Sequence, residues 1–249
     1  MNNNHFPKTD GVLYKSILLF VLCYSFIVVE VSAQFYMEKS FPKYSYYLSK
    51  VMDMTWEQPR GFAWEKMETD SCMPGGYGRA KSDSLYIGLM RSENEECLIL
   101  YPECNSVLFG SFRDSLNSVG SPCFARRQMM YDMKDALGKD FPLDSIPSDL
   151  EKYVVTLVGR KVPFNADTVF IAQIPLEKPY QEKYMYCTGI YACKQGRPSI
   201  TFKCFFTGEG KTNEKKYLTQ FHQTIKYRRN KKWSYDHEKA LRTIYEIYK

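Results

Sequence analysis

Histidine is scarce in this chain: there are three, and only His222 and His237 lie beyond residue 33. A zinc site would therefore need cysteine or carboxylate ligands as well, and neither histidine stands in a His-Glu-x-x-His pattern. The cysteine spacings 97 to 104 and 187 to 193 make no Cys-x-x-Cys clip. A Gly-x-Ser-x-Gly nucleophile elbow is missing too, because Gly110-Ser111-Phe112 and Gly120-Ser121-Pro122 lack its flanking pattern. No apolar run reaches the roughly 20 residues that cross a bilayer. No Asn-x-Ser/Thr acceptor follows residue 33, and no internal repeat or low-complexity stretch occurs. These absences leave no residue set that dictates a reaction, and no metal or cofactor is expected.

What is present begins at the N-terminus. An apolar run from Ser16 to Val29 follows Lys8 and Lys15 and ends in Val31-Ser32-Ala33 before Gln34, which is the anatomy of a secretory signal peptide. The expectation is cleavage before Gln34, export to the periplasm or the exterior of a bacterial cell, and membrane attachment only if the segment is retained. Residues 34–249 are then expected to form one α+β domain. The net charge of +6 is mildly basic and gives no ground for nucleic-acid binding. Aromatic residues make up 16% of the chain, which suits sheet surfaces and groove walls as well as a tyrosine-rich core. Without Cys23 the cysteines are Cys72, Cys97, Cys104, Cys123, Cys187, Cys193 and Cys204, an odd set that cannot all pair within one chain.

Punctuation and periodicity outline the elements. Lys50 to Met67 reads as two extended segments around Gln58-Pro59-Arg60-Gly61, and Glu68 to Asp83 as a polar, glycine-rich connection. Strands are expected over 84–90, 97–101 and 168–174. A helix should start at Ser121-Pro122 and stop at Gly138, with Met129, Met130, Met133 and Leu137 on its apolar face. The capping pattern Ser148-Asp149-Leu150-Glu151 announces a second helix, although its β-branched residues make a strand the alternative. Tyr184 to Phe206 is a hairpin. If Gln195 and Gly196 form a two-residue loop, Cys187 faces Cys204 at a non-hydrogen-bonded pair, with Cα atoms about 4.5 Å apart. That distance permits a disulfide, two buried free thiols being the other reading. The same register puts Met185, Tyr191, Ile200, Phe202 and Phe206 inward, and Thr188, Ser199, Thr201 and Lys203 outward. A further helix enters through Thr212 and Asn213 with Tyr217, Leu218, Phe221 and Ile225 buried, and a last one spans 234–248 behind Ser234.

Candidate chemistry is thin. Gly208-Glu209-Gly210-Lys211-Thr212 sits where a phosphate loop would, but such a loop needs glycine at 205 and this chain has Phe205. Glu93-Asn94-Glu95-Glu96 and the stretch from Asp140 to Asp144 offer carboxylates for a glycosidase pair and read first as solvated turns. The basic run before Trp233, with Arg228, Arg229, Lys231 and Lys232, offers contact to phosphate headgroups, anionic glycans or an acidic partner, a solvated turn being the plain reading.

Strand, hairpin, then Phe-Phe-Thr-Gly-Glu-Gly-Lys-Thr-Asn-Glu-Lys-Lys-Tyr-Leu and a closing Thr224-Ile225-Lys226-Tyr227 resemble the end of PsbP-like domains. The segment around Glu57-Gln58-Pro59-Arg60-Gly61-Phe62 is similar to their first hairpin. The resemblance runs over about 46–227 and implies an α/β/α sandwich around a largely antiparallel sheet, to which this chain adds a C-terminal helix. It also implies a non-catalytic binding or assembly role, with no site residue to carry over. The expected function is thus an exported, non-enzymatic module that binds a protein or envelope component. The alternative is a secreted hydrolase using a Cys/His or carboxylate site, with His222 or His237 as its base.

Overall fold

The computed structural model describes residues 41–65, 86–102, 122–236, 238–240, 242 and 243. The signal-like segment 1–33, the glycine-rich connection 68–83, Cys72, Cys104 and His237 lie outside them.

The expected α+β architecture, a largely antiparallel sheet flanked by helices, is present. Helix α1 (Phe41–Val51) leads into β1 (Met54–Trp56) and β2 (Phe62–Glu65). The β3–β4 hairpin (Tyr86–Ser92, Cys97–Pro102) and helix α2 (Pro122–Leu137) follow, then β5 (Val154–Val158) and β6 (Thr168–Ile174). Strands β7 (Tyr186–Cys193) and β8 (Ile200–Phe206), the short helix α3 (Gly208–Thr212), α4 (Glu214–Thr224) and β9 (Ile225–Tyr227) complete the order. Seven strands form one sheet in the order β2-β3-β4-β8-β7-β6-β5, and β1 pairs with β9 in a separate ribbon. Every pairing is antiparallel.

Both faces of this sheet are covered, which is why all seven residues of β8 are buried instead of alternating. On one face α1, α4 and the ribbon pack onto an aromatic centre: the Phe202 ring lies 4.8 Å from Phe221, 5.6 Å from Tyr101 and 5.7 Å from Phe164. Phe164 is held at φ 62°, a conformation non-glycine residues avoid, and its burial there offsets the strain. On the other face α2 lays Met129, Met130 and Met133 against β6 and β7. Proline at its first position starts α2; Gly138 at φ 61° ends it, and Lys139 N–H donates back to Lys134 O at 3.3 Å, a Schellman-type cap.

Several sequence expectations need correction. The segment expected to be helical from Ser148 yields only a 3-10 turn, Glu151–Tyr153, and then strand β5, because Val154, Val155, Thr156 and Val158 are stiff at χ1 and favour extended backbone. The segments flanking Pro59-Gly61 are strands as expected, but they do not form the first hairpin that the resemblance implies: β1 goes to β9 and β2 to β3. The third correction is the β7–β8 register. Cys187 pairs with Phe205 and Thr188 with Cys204, one residue away from the two-residue-loop alignment. The turn closes by Arg197 N–H to Lys194 O at 3.0 Å with positive φ only at Gly196, a type II pattern. Its twist does not match that of paired strands, and the extra residue Pro198 shifts the pairing. A one-residue slip sends neighbouring side chains to opposite faces. Cys204 therefore belongs to the α1/α4 core and Cys187 to the α2 core; both are buried, on opposite faces of the sheet, and no disulfide joins them in this structure.

At the C-terminus, residues 238–240, 242 and 243 are helical behind Asp236, whose Oδ1 accepts from Lys239 N–H at 3.0 Å, so the cap is Asp236 where Ser234 was expected. The rest of that helix lies outside the described residues.

Candidate functional site

The basic segment after β9 is built into one end of the sheet. Tyr227 is buried, and its hydroxyl donates to Pro198 O at 2.8 Å, while Asn165 Nδ2 donates to Tyr227 O at 2.8 Å. Next, Arg228 N–H donates to Asp53 O at 2.7 Å and its guanidinium to Ser49 Oγ at 2.8 Å. Beneath the segment Arg197, 6% exposed, meets Asp53, 2% exposed: Nε and Nη2 donate to Oδ2 at 3.0 and 2.6 Å. Nη2 also donates to Asn230 O at 2.6 Å, and the Trp233 ring covers the guanidinium at 5.3 Å. Arg197 thus reaches the backbone of the segment from below. Asn230 closes the turn from above, taking Lys232 N–H on Oδ1 at 3.1 Å and Trp233 N–H on O at 3.3 Å. The side chains of Arg228, Arg229, Lys231 and Lys232 are exposed on this pinned backbone. A fixed loop spends less conformational entropy on binding than a mobile one.

A second buried charge cluster lies under α2. Lys203, expected on the outside, is 2% exposed and bonds Asp132 and the Tyr191 hydroxyl, the latter at 2.8 Å; Tyr191 also donates to Asp132. Alternation along β8 turns Lys203 away from Phe202, and α2 covers that second face, so Asp132 meets Lys203 from within the methionine stripe of α2. Burial, helped by the Asp132 charge, pushes the neighbouring Asp135 carboxyl above its usual range. Nothing in the sequence pattern announces the cluster apart from an acid placed between Met130 and Met133. Its members satisfy one another inside the core.

The other candidates are occupied. Burial pushes the Cys97 and Cys204 thiols well up, away from thiolate chemistry. His222 packs its ring 4.7 Å from Phe164, and burial lowers its pKa to about 4, so it is neutral at pH 7. Asp140 and Asp144 pair with Lys134 and Arg127, and Glu95 with Lys183. In the would-be phosphate loop, Gly210 N–H donates to Thr207 Oγ1 at 3.0 Å and Lys211 pairs with Glu214 at 2.7 Å. Among the described residues no group of three or more His, Cys, Asp or Glu side chains is placed to hold a metal ion. A shallow depression of about 560 Å³ follows the polar face of α4 from Thr212 to Gln223. No protein-family model matches this chain, and no curated protein or solved structure matches it.

Proposed function

We propose that this chain is an exported, non-enzymatic binding or assembly module, and that it engages an acidic protein or envelope component through Arg228, Arg229, Lys231 and Lys232. The observation that carries the reading is the buried Arg197–Asp53 pair holding Asn230 O beneath that segment. A surface turn with no role needs no buried ion pair under it, and desolvating such a pair is costly. The resemblance to PsbP-like domains, which mostly act as binding or assembly factors, points the same way, and export rests on the segment 1–33. The test is affinity capture from native envelope with wild type and the R228Q/R229Q/K231Q/K232Q variant. A partner captured by wild type and lost with the variant supports the reading; equal capture by both contradicts it.

A further inference from the structure

The basic segment does not stand alone at its end of the sheet. Pairing of Val158 with Thr168 and of Ala192 with Ile200 places the β5–β6 and β7–β8 turns at the same end, two strand spacings or about 10 Å apart. Lys194 ties the turns together, donating to Asn165 O at 2.8 Å, and the carboxylate between them, Asp167, is engaged by Lys194 and by Gln195 N–H. Asn165 in turn holds Tyr227 O, which fixes the basic segment alongside. Arg160 and Lys161 project from the β5–β6 turn and are exposed. The result is two exposed cationic clusters, Arg160 with Lys161 and the four bases of the segment, set in a row on either side of Lys194, whose charge Asp167 matches.

The opposite end differs in kind. There Arg91 forms a bidentate pair with Glu65 at 2.5 and 2.7 Å, Lys183 pairs with Glu95, and Lys211 with Glu214. Several cations at that end are thus matched by carboxylates, although Lys215 and Lys216 at the start of α4 are exposed there too.

Resting on the binding role proposed above, we infer that the ligand is a linear acidic polysaccharide lying along this row, with Arg160 and Lys161 as its outer contacts. Exposed charges on two separate chain segments suit a polymer carrying repeated carboxylate or sulfate groups better than one phosphate. A bilayer surface would call for an apolar face among the cations, whereas the exposed Val155 and Val158, three residues apart on β5, fall on opposite faces of the strand and form no such patch.

The experiment measures binding of polygalacturonate and of heparin at low salt by wild type, R160Q/K161Q and a charge-matched control at the other end, K215Q/K216Q; α4 begins there, with Asn213 Nδ2 3.3 Å from Glu96. The expected result is binding by wild type and the control, with affinity at least about fivefold weaker in R160Q/K161Q. Vesicles of phosphatidylglycerol and phosphatidylcholine serve as the competing surface. Equal weakening in the two double variants, no polysaccharide binding by wild type, or binding to the vesicles alone overturns the inference. If R160Q/K161Q captures the envelope partner normally while R228Q/R229Q/K231Q/K232Q does not, the binding role stands and only the polymer is wrong.

Discussion

Arg197 does two jobs with one guanidinium, neutralising Asp53 in the core and anchoring Asn230 O at the surface. Asp53→Asn would leave the arginine charge buried without its partner, at a cost of about 3–5 kcal/mol, read as a lowered denaturant midpoint with an unchanged m-value. His222 makes a second prediction, with a defined sign. Its folded pKa of about 4 lies below the ordinary value of 6.5, so the unfolded chain takes up the proton first. Its contribution is whole above pH 6.5 and is lost as pH falls toward 4, by up to about 3 kcal/mol. Urea titrations across that range should show a slope that His222→Phe flattens. Burial without a partner for Nε2 is the physical cause.

At the scale of elements, Gly210 shows why a glycine-rich turn need not be a nucleotide loop. A Cβ there would sit 2.0 Å from Glu96 O, so the glycine lets α3 pass against the β3–β4 turn. Gly210→Ala should cost about 1–3 kcal/mol or more by forcing the two apart, measured as a drop in Tm. Helix α2 and strand β6 were legible because their punctuation and periodicity agree with their surroundings. Helix α1 was missed: its described buried contacts, Leu48 and Val51, sit in a tyrosine- and serine-rich stretch with modest helix propensity. The β7–β8 register was missed because a sheet covered on both faces has no polar side, so alternation cannot report which residues face which layer. The same cause hid Lys203 and Asp132. The basic segment itself was visible as a charge run, whereas Arg197 and Asp53, 144 residues apart in sequence, were not.

Across the whole molecule, charge is sorted by position more than by amount. A net +6 is modest, yet the end carrying residues 159–167, 194–198 and 228–232 holds cations on adjoining turns. Exposed charges of this kind are screened over about 8–10 Å at ordinary salt, so binding through them should weaken as salt rises while folding stability changes little. No helix among the described residues is long and apolar enough to cross a membrane.

The most direct measurement is capture from native envelope by wild type and R228Q/R229Q/K231Q/K232Q side by side, each washed at about 50 mM and then about 500 mM salt. The predicted result is a partner that wild type retains at low salt and releases at high salt, and that the variant, equally stable, does not retain. The same partner held equally by both proteins, or held by wild type through the high-salt wash, would contradict it.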